Sequence, residues 1–373
     1  MLNEYNSNYT KMRLCLIAPV PPPYGGIANW TRLINSYISE NRDDVECAIL
    51  NTASKLRATE GRTLWNRVVD GGFSMIKKRI VLSGIIKNSR PDVIHITTSG
   101  QLAIFRDIAL LKKAKKEHIP TVYHIRFGRI SQIADNNTRE WRHISKAIML
   151  ASEVVTIDNE TCRSIRKYLP DTKVVYIPNP VDISKLPEPA DKKSKKVVFL
   201  GWLIKEKGIE ELLLAWKQVF EKHTDWALLL VGPCLPKYLA YLREKYSFEG
   251  VNFEGEKNHE EAMNLLNSSE IFILPSYTEG FPNVILEAMT LSKPIIATKV
   301  GAIPDMLEND CGVLINKEDS SDIVNALEGL IADKARRVLL GNNAMRKIRT
   351  HYCVELVFQE YMREWKQLTE GEK

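Results

Sequence analysis

Two glutamates eight positions apart, Glu279 and Glu287, stand in the segment Thr-Glu-Gly-Phe-Pro-Asn-Val-Ile-Leu-Glu-Ala-Met that follows the apolar run Ile271 to Leu274. What they can do depends on a helix start between them. Pro282 suits the first helical position, where a missing N–H costs nothing, and Val284 to Met289 continues with good helix formers. The free amides of Gly280, Phe281, Asn283 and Val284, with the positive end of the helix dipole, then make a seat for a diphosphate. Glu279 lies just ahead of that seat. Glu287 lies about five residues into the helix, roughly 7–8 Å along its axis, and helical side chains lean back toward the N-terminus. One carboxylate can meet hydroxyls on one side of a diphosphate and the other those on the far side. An object with that layout is a nucleotide sugar, a hexose at one end and a ribose at the other.

Other residues with chemistry lie after apolar runs. The loop Gly201 to Gly208 carries Trp202, Lys205 and Lys207, and an ammonium beside a leaving diphosphate stabilises the charge that develops there. Pro23-Tyr24-Gly25-Gly26-Ile27 precedes a helix around 27–40, and Gly25 and Gly26 let backbone approach a ligand with no Cβ in the way. The fingerprint G-x-G-x-x-G occurs nowhere, which argues against a nicotinamide dehydrogenase. His95 and His124 both end apolar runs in the first half. His95 reads as a satisfied core residue, and His124, followed by Arg126 and Gly128, is a second histidine at a strand end. No D-x-D is present and no histidine pairs with a Cys, His or acid at a ligand spacing, so neither a metal nor another cofactor is expected.

These segments together resemble the E-x7-E motif and its companions in retaining glycosyltransferases of family 4 (group 1), which have the GT-B architecture. Ile177-Pro-Asn-Pro-Val-Asp182 is similar to the family's interdomain crossover, Phe199 to Gly208 to its second phosphate loop, and Pro294 to Pro304 to the strand and turn after the E-x7-E helix. The resemblance is specific over residues 177–330 and weaker over 12–176. It implies that Glu279 orients the donor sugar, Glu287 the ribose, Lys207 and the 280–283 amides the diphosphate, and His124 the reacting sugar. It also implies transfer with retention and without metal, the donor on the second domain facing an acceptor on the first across a cleft. The family usually has arginine after the first glycine of the second phosphate loop. Here that position is Trp202, with Arg126 and Lys205 as candidate replacements and stacking on the substrate as the alternative.

The elements that must position these residues follow from the pattern of the whole chain. With 373 residues, 44% hydrophobic and 26% charged, it is long enough for two domains with real cores and is neither disordered nor fibrous. Strands are predicted near 12–18, 46–50, 92–97, 119–124, 153–157 and 173–177, then near 196–201, 226–231, 250–253, 270–274, 294–297 and 312–315, with helices between. Such alternation implies two Rossmann-like, doubly wound parallel sheets. Prolines 178, 180, 187 and 189 place the boundary: residues 1–178 form an acceptor-side domain and 179–353 a donor-binding domain. By resemblance, the last helix, 354–373, returns to the first.

Six cysteines without C-x-x-C spacing read as free thiols in a reducing compartment. No apolar run approaches the ~18 residues needed to span a bilayer, and Leu14 to Val20 reads as a strand, not a signal peptide. The net charge of +6 is uneven, with 27 Lys and Arg against 16 Asp and Glu in residues 1–178 and 25 against 30 thereafter. Clusters such as Lys77-Lys78-Arg79 and Lys112-Lys113 suit either a solvated helix face or an anionic membrane and lipid diphosphate. Without interleaved aromatics they do not suit nucleic acid. The expectation is a cytoplasmic hexosyltransferase at the inner face of the membrane, using a nucleoside-diphosphate sugar and a glycan acceptor linked to a polyprenyl diphosphate. The alternatives are a nucleotide-sugar epimerase of the same architecture and a non-catalytic nucleotide-sugar-binding protein.

Overall fold

The computed structural model describes residues 11–23, 25–53, 64–190, 194–246 and 249–370, the helix at 64–75 by its backbone alone. The chain divides into two compact units. The first contains the residues up to Ile157, Thr161–Ile177 and those from Phe358 onward, and the second contains Asp158–Glu160 and Pro178–Val357.

Among the described residues, six parallel strands form the first sheet: β1 (Met12–Ala18), β2 (Val45–Asn51), β3 (Val93–Thr98), β4 (Thr121–Ile125), β5 (Glu153–Thr156) and β6 (Val174–Tyr176), in the order β2-β1-β3-β4-β5-β6. The central strands are buried along their whole length, because helices cover both faces of a parallel sheet. Helix Gly26–Asn41 turns Trp30, Ile34 and Ile38 inward. The last helix, Val354–Glu370, presents Phe358, Tyr361, Met362 and Trp365 at helical spacing, all buried. A polar tie holds it as well, since Lys173 Nζ reaches Glu153 at 2.5 Å and Glu364 at 3.4 Å. Burial lifts the Glu153 carboxyl to about 7 against the pull of Lys173.

The second unit repeats the scheme with β7 (Ser194–Leu200), β8 (Ala227–Val231), β9 (Val251–Gly255), β10 (Ser269–Leu274), β11 (Ile295–Thr298) and β12 (Val313–Ile315), in the order β12-β11-β10-β7-β8-β9. Helix Ile209–Lys222 buries Leu212, Leu213, Trp216 and Val219, and the Trp216 indole donates to the Gly250 carbonyl at 3.1 Å. Asn258 and Glu261 form a capping box at the start of helix His259–Ser268, satisfying two otherwise orphaned amides. Lys293 is fully buried, yet its ammonium donates to the carbonyls of Asn267 and Ser269, so it joins the turn before β11 to the end of that helix.

All twelve strands expected from the alternation of apolar runs are present, their ends within two residues of the expected ones. The six cysteines are free. In the second sheet the chain moves one way from β7 through β8 to β9, and the other way from β10 to β12. Connections therefore leave β7 and β10 in opposite directions, and a crevice opens beyond their carboxyl ends. The first sheet reverses between β1 and β3. One local expectation is corrected. Pro282 is the residue before the helix, with extended backbone (φ −76°, ψ 109°), and the helix runs Asn283–Thr290. The Pro282 carbonyl accepts from the Ile285 amide at 3.0 Å. The ring fixes φ of a proline but leaves ψ open, and here ψ is extended, so the helix begins one residue later.

Candidate functional site

The loops after β7 and β10 meet at the reversal of the second sheet. Lys207, from the first loop, places Nζ 2.5 Å from Oε1 of Glu279, from the second, and the Ser276 hydroxyl donates to the same oxygen at 2.7 Å. Neither charged side chain is far exposed, at 25% for Lys207 and 12% for Glu279. Backbone contacts fix both loops. The Tyr277 amide donates to the Glu206 carbonyl at 2.8 Å, and the Thr298 hydroxyl, at the end of β11, donates to the Ser276 carbonyl at 2.5 Å.

Two glycines permit this approach. Gly208 has φ +69°, and a Cβ on it would lie 2.1 Å from the Pro275 carbonyl oxygen. Gly301 has φ +56°, and a Cβ there would lie 2.3 Å from the Glu279 carbonyl and 2.6 Å from that of Gly280. A side chain at either position meets both backbone strain and rigid backbone. The Ala302 amide completes the junction by donating to the Gly280 carbonyl at 2.9 Å.

Beyond Glu279 the chain passes Gly280 and Phe281 into helix Asn283–Thr290, whose first amides, including Val284, have no partner within the helix. Phe281 is buried, its ring edge-on to Tyr352. Asn179 donates to the Asn283 side-chain oxygen at 2.9 Å, which fastens the Pro-rich segment to the helix start. Glu287 is the fifth residue of the helix, and its carboxylate is 3.0 Å from Nε2 of His259, the first residue of helix His259–Ser268. Trp202 is about half exposed, and Lys205 is exposed on the β7 loop.

The first unit holds the remaining candidates. Gly25 and Gly26 start helix Gly26–Asn41, and a Cβ on either would meet nothing within 4 Å. His124 is in β4 with no exposed surface. Its Nδ1 is 3.0 Å from Nε2 of His95, whose Nδ1 accepts from the Trp365 indole at 3.1 Å. His95 is thus a satisfied core residue, as its setting in a strand implies. The Arg126 guanidinium sits over the Trp30 ring, 4.7 Å from its centroid, with the Tyr361 hydroxyl beside it. Burial, then repulsion from Arg126, pushes His95 down to about 3 and His124 well below its usual range. Burial also lowers Arg126 to about 10, so it stays cationic at neutral pH.

The sequence pointed to Lys207, Glu279 and the helix start, and the structure brings these together. It missed Ser276, His259, Thr298 and Gly301. Ser276 precedes Glu279 by three residues, a spacing too common to mark it. His259 reaches the site from a helix remote in sequence with no local mark, whereas Thr298 and Gly301 lie in the 294–304 segment, which stood out as a whole and not by these residues. Among the described residues no group of three or more His, Cys, Asp or Glu could hold a metal ion.

Residues 182–347 match the family of glycosyl transferases group 1, and residues 24–185 match glycosyltransferase family 4. The chain belongs to this glycosyltransferase family. Relatives of the family member include a capsular polysaccharide biosynthesis glycosyltransferase, CapM, of Staphylococcus aureus, 28% identical over 43% of each chain. Another is an uncharacterized glycosyltransferase of Haemophilus influenzae, 25% identical over 78% of this chain and 79% of the other. The match spans less than half the length of most of the curated relatives it resembles. The fold is that of sucrose-phosphate synthase from Thermosynechococcus elongatus (TM-score 0.77, 18% identity, 97% of this chain and 100% of that one). It is shared by Anabaena HepE, solved with UDP-glucose (TM-score 0.70, 18% identity, 95% and 100%).

Two outcomes follow from this geometry. Gly301→Ala is expected to lower stability by about 1–3 kcal/mol and to displace the Glu279 loop, read as a lower melting temperature and altered amide exchange at 276–281. The buried imidazoles make stability depend on pH. Their folded pKa values lie below the unfolded value, so this contribution is intact above about pH 6.5 and is lost as pH falls toward 3. His95→Gln removes one such group, so its loss of stability between pH 7 and pH 5 should be smaller than that of the wild type by about 2 kcal/mol in urea titrations. Glu153 acts in the opposite sense in both proteins and cancels in the comparison.

Proposed function

We propose that the protein moves a hexose from a nucleoside-diphosphate sugar to a glycan acceptor with retention of anomeric configuration. The observation that carries this reading is the convergence of Lys207, Ser276 and Glu279 at the strand-order reversal, immediately ahead of the helix start at Asn283. A diphosphate on the amides of Gly280, Phe281, Asn283 and Val284 would compete with Glu279 for the Lys207 ammonium. The freed carboxylate is then available to hydroxyls of the transferred sugar, while Glu287, beside His259, takes those of the ribose. Lys207 and the amides stabilise the charge on the departing diphosphate, so the reading assigns no step to a metal.

Glu279 accepts hydrogen bonds from two neighbours, a setting that suits an orienting group better than a nucleophile. Retention then proceeds on one face of the sugar. The bond from the anomeric carbon to the diphosphate oxygen breaks, a bond to the acceptor oxygen forms on the same side, and the acceptor proton passes to the diphosphate. The solved HepE complex with UDP-glucose supports a nucleoside-diphosphate sugar as donor. The acceptor we favour is an oligosaccharide on a polyprenyl diphosphate, used in surface polysaccharide synthesis. Similarity to CapM supports it, as does the basic excess of residues 1–178. On helix Leu64–Ser89, exposed Ile76, Ile80 and Val81 lie among the basic residues Lys77 and Arg79, a mixture suited to peripheral contact with an anionic bilayer at the cytoplasmic face. Trp202, where arginine is usual, favours a second reading, a protein that binds the nucleotide sugar without turning it over.

A panel of nucleotide sugars, with and without a polyprenyl-linked glycan extract, separates these readings by thermal shift and release of nucleoside diphosphate. Release that requires one donor and the acceptor is expected. Conversion of the donor alone would indicate an epimerase, and a thermal shift with no release a sensor. Glu279→Gln should reduce kcat at least about a hundredfold with an unchanged melting profile; near-normal turnover would remove Glu279 from the mechanism. EDTA should leave the rate unaltered, and a strict requirement for added Mg²⁺ or Mn²⁺ would overturn the metal-free account.

A further inference from the structure

Four groups in the first unit form a line: the Trp365 indole, the His95 and His124 imidazoles, and the Arg126 guanidinium, with successive separations of 3.1, 3.0 and 3.4 Å. Indole and guanidinium only donate, and burial keeps both imidazoles neutral, with one proton each. Four protons therefore point into three gaps, and one gap must hold two. Trp365 fills the first gap, so the His95 proton is on Nε2 and fills the second. The His124 proton is then on its own Nε2, facing Arg126. The mismatch falls in the gap at Arg126, which is also the longest.

We propose that Trp365 and His95 are positioning residues that hold His124 in the Nε2–H tautomer, so that it donates to a hydroxyl oxygen of the transferred sugar. This rests on the reading of His124 as a sugar contact given above. Left to Arg126 alone, His124 would adopt the other tautomer, with Nε2 accepting from the guanidinium. Trp365, from the far end of the chain, prevents that. An acceptor oxygen beside His124 and Arg126, the latter steadied by Trp30 and Tyr361, would relieve the opposition of the two donors. Among the groups on the line, Arg126 is the one with exposed surface, at 8%, so the oxygen enters on its side. In this role His124 is a donor and not a general base.

Nitrogen-15 spectra of histidine-labelled full-length protein decide the tautomer without any nucleotide sugar. The wild type should show a bare Nδ1 and a protonated Nε2 at both His95 and His124, unchanged from pH 5 to 8, and Trp365→Phe should move the His124 proton to Nδ1. A bare Nε2 at His124 in the wild type would overturn the relay whatever the enzyme transfers. In the transfer assay, Trp365→Phe should lower kcat roughly ten- to a hundredfold with little change in donor KM. His95→Gln, whose amide can both accept from Trp365 and donate to His124, should recover most of what His95→Leu loses, at matched melting temperatures. Equal rates for Trp365→Phe and wild type would overturn the positioning role while leaving glycosyl transfer intact. A wild type inert toward every donor and acceptor in the panel would overturn the transferase reading and the role together.

Discussion

The approach of two loops at the reversal of the second sheet is the constraint on which the candidate site depends. A parallel sheet sends every connection across its faces, so the carboxyl ends of β7 and β10, whose crossovers diverge, are where two loops can share a crevice. Divergence creates room, and the rest of the local structure fills it. The Glu279 and Gly280 carbonyls press against Gly301, and the Pro275 carbonyl against Gly208, at distances no side chain could share. Lys207 and Glu279 then meet at 2.5 Å. A cation and an anion so placed, largely covered and ahead of a helix start, form a charge pair that a phosphate can divide.

The first unit is organised by a different kind of constraint. Its last helix comes from the far end of the chain and packs Phe358, Tyr361 and Trp365 into the core. That helix carries polar functions as well as area: Glu364 joins the Lys173–Glu153 pair, and Trp365 satisfies His95. A buried imidazole is tolerable only when neutral and hydrogen-bonded, and the helix supplies the donor that meets this condition. Core packing and the protonation pattern at His124 are therefore set by the same helix.

Much of this was readable from residue order. Twelve apolar runs separated by helical stretches specify two parallel sheets, because each signal is local and repeated. The E-x7-E segment and the 201–208 loop also announce themselves, since glycine, proline and charge at loop positions after a strand have few other uses. Pro282 was misplaced by one position because its fixed φ suits either side of a helix start, and its own extended ψ of 109° decided the matter. Ser276 was visible but carried no distinguishing mark, since a serine three residues from a glutamate is ordinary unless the turn between them is known.

What the sequence determined by itself is the set of elements and the loops that carry chemistry, because periodicity, turn residues and caps act over a few residues. What the tertiary structure alone decided is which of those loops meet. Thr298 and Gly301 support Glu279 from the connection after β11, His259 reaches Glu287 from another helix, and Trp365 donates to His95, 270 positions earlier. Each of these contacts joins segments that share no local pattern. The buried ones exist because burial forces polar groups to find partners wherever the fold brings one within reach, and strand order, not sequence order, determines which partners are near.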